Sequence, residues 1–209
     1  MSLIENLNWR YATKKFDSSK KITITDLNHI ESAIQLSASS YGLQLYKVFI
    51  IEDIDLRSKL KAVSWNQSQI TEASHLFVFC NYINNITTEV DNHIKLTAKT
   101  RNLDEEMLNE YGSFILEKIF AKSEIERCNW TRNQTYIALA NLLSICAELK
   151  IDACPMEGFD SVRYNEILGL NQIGLNACVL AAVGYRDKED KTQYLEKVRK
   201  SKDVLFEYL

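Results

Sequence analysis

The chain has 209 residues, 46% of them hydrophobic and 25% charged, with a formal net charge of −3. That length suits one domain whose core needs no disulfide or metal staple, and the composition excludes a disordered or fibrous protein. Both charge signs are dispersed, which argues against a nucleic-acid binder, and no apolar run reaches the ~20 residues of a membrane span.

In chain order, residues 2–8 read as a short helix. Thr25 is placed to N-cap a second helix running to about Ser37, with Asp26 in its first turn and Leu27, Ile30 and Ile34 on its apolar face. Residues 46–52 (YKVFIIE) predict a strand, rich in aromatic and β-branched side chains, and 54–63 a short helix. A buried strand is expected at 75–81 (HLFVFCN), then mostly helix over 89–122 with a break near Arg101–Leu103. From Tyr136 to Leu149, within a helix over 131–149, the sequence is apolar nearly all round. Such a helix is buried on every side, and a chain this small does not supply that cover, so an obligate homodimer is expected. Ile151–Cys154 predicts a strand entering Pro155; Asp160 caps a helix that stops near Gly169; Ala177–Val183 and Val204–Tyr208 read as further strands. No linker or repeat interrupts the chain. Helical crossovers between strands predict much parallel pairing with helices on both sheet faces: an α+β protein, one domain over 1–209.

Several chemistries drop out. The single proline is Pro155, and no two of the six glycines are separated by one residue. Dinucleotide-binding GxGxxG is therefore absent; no two glycines lie four apart as the GxSxG elbow requires, and none is followed by the lysine of a Walker A loop. The five cysteines form no CxxC and lie mostly in apolar runs, as reduced thiols of a cytoplasmic protein do. MSLIENLNWR carries no secretory pattern, and the three histidines have no zinc-ligand spacing.

Three segments can carry chemistry. Arg10-Tyr11-Ala12-Thr13-Lys14-Lys15-Phe16 gathers cations that suit a phosphate, though a solvated basic face has the same composition. Cys154-Pro155-Met156-Glu157-Gly158-Phe159 places a rigid residue and a permissive one just after a strand, where binding groups gather, and reads equally as an ordinary turn. Lys197-Val198-Arg199-Lys200 places alternate cations on one side of an extended chain. Two polar segments, Ser37–Gln44 and Trp65–Gln69, offer hydroxyls and amides.

In this order and spacing, the segments resemble the FMN-dependent nitroreductase family across nearly the whole chain. The family's Arg-x-Ser-x-Lys-x-Phe reads Arg10-Tyr11-Ala12-Thr13-Lys14-Lys15-Phe16 here. Its Ser-Pro-Ser-Ser-x-Asn-x-Gln-Pro-Trp reads Ser37-Ala38-Ser39-Ser40-Tyr41-Gly42-Leu43-Gln44-Leu45-Tyr46. Asn66 and Gln69, Pro155–Gly158, and Lys197 with Arg199 complete the pattern.

The resemblance implies a central mixed β-sheet flanked by helices in an intertwined homodimer, with FMN bound at the subunit interface. Arg10, Lys197 and Arg199 would hold its phosphate, and Lys14, Asn66 and Gln69 its pyrimidine edge. Tyr11 and Ala12 would lie along it, and Ser39, Ser40 and Gly42 would approach the flavin of the other subunit. Pro155 and Met156 would pack on one ring face, and Glu157 and the Gly158 N–H near N5. NADH or NADPH would supply electrons to a small-molecule acceptor such as a nitroaromatic or a quinone, without membrane or nucleic acid. No protein side chain is assigned as catalytic, because the flavin performs the redox step. Ala12 stands in place of serine, and Ala38, Gly42, Leu45 and Tyr46 also depart from the pattern. Tyr41, Phe114 and Phe120 are candidates to face the acceptor. The alternatives are another reaction on the same flavin, dehalogenation or flavin fragmentation, and a non-catalytic flavin-binding dimer.

Overall fold

A computed structural model describes residues 2–209. Ser2 opens α1 (Leu3–Trp9) through a capping box with Glu5. The cap of α2 (Ile24–Gln35) is Thr23 rather than Thr25; its hydroxyl accepts from the Asp26 N–H. Strand β1 (Tyr46–Ile51) leads into α3 (Ile54–Ala62), the short α4 (Gln69–Glu72) and β2 (His75–Tyr82). Left-handed Asn85 and Asn102 bracket α5 (Ile86–Arg101), and α6 spans Asn109–Phe120, so the break near Arg101 is real. Helix α7 (Glu124–Glu148) begins at a Ser123–Glu126 capping box, earlier than apolar content alone indicates. Strand β3 (Asp152–Met156), α8 (Ser161–Leu168) and β4 (Leu175–Gly184) follow, α8 running from Asp160 to left-handed Gly169 as expected. Val204–Tyr208 is not a strand: a single turn, α9 (Lys202–Leu205), occupies it.

The sheet has four strands in the order β1-β2-β4-β3, and every neighbouring pair is antiparallel. The expected mixed, largely parallel sheet does not form; among the described residues parallel pairing is confined to one isolated bridge, Ala12 to Ala153. A crossover makes its strands parallel only if it carries the chain back along the sheet. The α3–α4 pair and α8 instead return it to the end it left, so the next strand runs the other way.

Strand alternation divides the core between two faces. Leu76, Val78 and Cys80 of β2 pack with Leu60, Ile70, Cys154, Met156 and Tyr164 beneath α3, α4 and α8. Phe77 and Phe79 point oppositely, into a layer with Ile30, Ala138, Leu142 and Ala181 under α2 and α7. The α5–α6 hairpin has its own cluster around Leu45, Val90, Ile94, Ile115 and Ile119. Among the described residues buried Arg57 forms no salt bridge; its guanidinium donates to the carbonyls of Ile70, Ala73 and Ser74, anchoring the end of α4. One chain does not enclose α7 on every side, as its near-continuous apolar sequence leads one to expect. Its Leu139 and Leu142 face the core, but Ile137 is 41% exposed and Ala140 is exposed.

Candidate functional site

Residues 10–16 run beside β3. Ala12 bridges Ala153, and Phe16 bridges Arg186. Asp190 fastens this segment: one carboxylate oxygen accepts from the Tyr11 hydroxyl at 2.9 Å and from the Lys14 and Lys15 N–H groups at 2.8 and 3.2 Å. The other accepts from the Thr192 N–H at 2.9 Å. Burial acts to raise the Asp190 carboxyl, but these donors outweigh it and hold the group below the usual carboxylate range. Burial, then the bond to Asp190, pushes the Tyr11 phenol upward. Behind this strap the Arg186 guanidinium lies over the rings of Trp9 and Tyr11, 4.3 and 4.6 Å from their centroids, and binds buried Asp152.

Arg10, Tyr11 and Ala12 then wall a cavity of about 380 Å³ together with Thr192, Gln193, Glu196, Lys197 and Arg199. The Lys197 ammonium donates to the Arg10 carbonyl. The buried Arg10 Nε–H has no acceptor among the described residues. Burial, then the charge of Arg199, lowers the Arg10 guanidinium pKa from its ordinary value. Burial, Arg10 and Arg199 do the same to Lys197. Three cations crowd one cavity with a donor unspent, which is an arrangement suited to a multiply charged anion.

The Ala12 wall of the cavity is tied to β3 at Ala153, near the strand's start. Burial raises the Cys154 thiol, and the Lys14 and Arg10 charges partly offset it. Pro155 is tolerated because β3 is an edge strand, where the missing N–H breaks no ladder. Met156 is buried in the core beneath α8, so its side chain is already spent on packing. Glu157 accepts from the Tyr136 hydroxyl, which accepts in turn from Arg132 at 3.3 Å. The Gly158 carbonyl accepts from Gln67 Nε2 at 2.8 Å, tying the 65–69 turn to this loop. Asn66 is exposed on that turn, and Gln69 is buried at the start of α4.

Ser39, Ser40 and Gly42 sit apart. The Ser39 hydroxyl accepts from the Gln44 N–H, and Ser40 is held by Trp130 and Gln134 of α7. Gly42 is left-handed, with the His93 ring 3.3 Å from where a Cβ would stand. Among the described residues they share no hydrogen bond or cavity wall with the Arg10 group. Phe114 and Phe120 lie on α6, under Lys118 and Arg127 respectively. Sequence reasoning missed Asp190 and Tyr136, and named Trp65 and Gln67 only as part of a polar segment. Asp190 is hidden in a mixed-charge run, and its role follows only from long-range folding; Trp65, beside Asn66, had a visible signal.

Residues 7–185 match the model of the nitroreductase family. Two relatives named "Putative NAD(P)H nitroreductase", from Staphylococcus saprophyticus and Staphylococcus epidermidis, are 33% and 35% identical, each alignment covering 100% of this chain and 97% of the relative. A crystal structure titled "putative nitroreductase in complex with FMN", from Exiguobacterium sibiricum, superposes with a TM-score of 0.88 at 14% identity, covering 100% of this chain and 98% of that one. The chain belongs to the nitroreductase family.

Proposed function

We propose that the chain is an FMN-dependent NAD(P)H oxidoreductase that alternates between reduction by the nicotinamide and reoxidation by a nitroaromatic, quinone or related acceptor. The observation that carries this reading is the buried, unpartnered Arg10 Nε in a cavity shared with Lys197 and Arg199. These three residues hold the FMN phosphate. Lys14, on the same strap, places positive charge beside the ring, where it favours the reduced form electrostatically. The exposed Asn66 and the neighbouring Gln69 supply amides to the ring edge, and Pro155 with the Glu157–Gly158 backbone forms the shelf beneath it. The flavin, when bound, supplies two-electron transfer; the protein orients it and adjusts its charge. Ser39, Ser40 and Gly42, remote from this pocket in their own chain, serve the pocket of a second copy in a homodimer. The full chain acts as one domain, in the cytoplasm.

The test is the visible spectrum of purified protein, anaerobic addition of NADH and then NADPH, and chromatography of the released cofactor. Yellow protein carrying FMN that bleaches with either donor is the expected result; colourless protein that takes up no added FMN would sink the reading. Arg10→Ala removes a charge-assisted contact of about 1.5–3 kcal/mol, so FMN affinity falls roughly 10- to 150-fold in a fluorescence titration.

A further inference from the structure

The turn after α3 holds an aromatic side chain that nothing in the fold uses fully. Trp65 and Asn66 are both left-handed, at φ +52° and +54°. Asparagine adopts that conformation readily; tryptophan does not. The turn is nevertheless anchored: the Asn66 N–H donates to Lys61 O at 3.2 Å, and Gln67 Nε2 reaches both Ser64 O and Gly158 O. The indole edge rests on Gly158, where a Cβ would stand 2.6 Å from Trp65 Cζ3 and 2.7 Å from Cε3. Gly158 is not among the left-handed glycines, so what a side chain here would meet is the indole, with Gln67 Nε2 at 3.0 Å beside it, and not a backbone penalty. Trp65 is nonetheless 80% exposed. Tyr41 has Trp130 as a ring partner, and Phe114 and Phe120 have cations over them. Among the described residues Trp65 has neither.

We propose that Trp65 determines acceptor specificity: its open indole face forms a wall beside Gly158 on which a flat aromatic acceptor stacks, whereas a compact non-aromatic acceptor gains nothing from it. This rests on the flavin reading above, which puts the reactive ring beside Gly158. Aromatic faces favour planar partners through offset stacking, so the selection is for quinones and nitroarenes as a class.

The experiment uses FMN-loaded wild type, Trp65→Ala and Trp65→Phe. Binding of 1,4-naphthoquinone to the oxidised proteins, with no electron donor present, is measured by equilibrium dialysis. The expected result is a roughly three- to tenfold weaker Kd in Trp65→Ala, largely restored in Trp65→Phe, the size a lost aromatic stack produces. In turnover, KM for the naphthoquinone rises by the same factor, while the rate with ferricyanide changes far less. Equal changes for both acceptors, or unchanged naphthoquinone binding, would overturn the proposal while leaving the flavin reading intact. A wild-type chain that takes up no FMN would overturn both. Thermal unfolding checks the geometry separately. Gly158→Ala lowers Tm when Trp65 is present and by much less beside Trp65→Ala; equal losses would show that the indole does not rest on Gly158.

Discussion

Asp190 shows how one buried carboxylate organises a binding strap. It joins residues far apart in sequence by accepting from Tyr11, Lys14, Lys15 and Thr192. Its folded pKa lies below the unfolded value of about 3.9, so its contribution to stability is full above that pH and is lost as pH falls through the folded value. Urea unfolding across an acidic pH series is expected to show stability declining below about pH 4. Asp190→Asn should be less stable by about 1–3 kcal/mol at neutral pH and should show a shallower acid slope. An unchanged slope would assign the acid sensitivity to other carboxylates. Arg10 and Lys197 have the opposite character. Both are cations whose charged form burial disfavours, so a bound anion compensates them where the folded protein alone does not.

At the level of elements, local signals set boundaries well. The Asp160 cap and Gly169 stop are legible because each acts within a turn of its own residue. Helix α7 begins at Glu124 rather than near 131, because its start is set by the Ser123–Glu126 box and not by the apolar stretch from Tyr136. That box satisfies N–H groups that would otherwise be orphaned, so Ser123→Ala should cost about 1 kcal/mol in thermal unfolding. No measurable loss would mean that tertiary packing alone holds this end. Strand direction was misread for a different reason. Helices between strands were legible, but whether they carry the chain along the sheet or return it depends on their packing angles, which no local residue pattern encodes.

Over the whole molecule, the exposed stripe of α7 and the C-terminal tail are the unfinished surfaces. Ile137 and Ala140 face outward from the helix, and Val198, Leu205, Phe206 and Tyr208 are exposed on the tail. In the proposed homodimer, a second copy would cover these surfaces and the apolar helix that one chain leaves half open. Ile137→Glu should therefore give a monomer by sedimentation, with flavin affinity lost because Ser39 and Ser40 no longer reach a partner's pocket. A dimer of unchanged affinity would remove α7 from the interface.

The sequence by itself determined the α+β class, the positions of most helices and strands, the absence of nucleotide and zinc motifs, and the spaced segments that carry the family resemblance. These depend on composition, short-range capping and hydrophobic period, all of which act over a few residues. Tertiary structure alone decided the antiparallel sheet, the burial of Met156, the strap on Asp190 and the indole against Gly158. Each joins residues tens to more than a hundred positions apart, and only the closed core brings their side chains within hydrogen-bonding or van der Waals range.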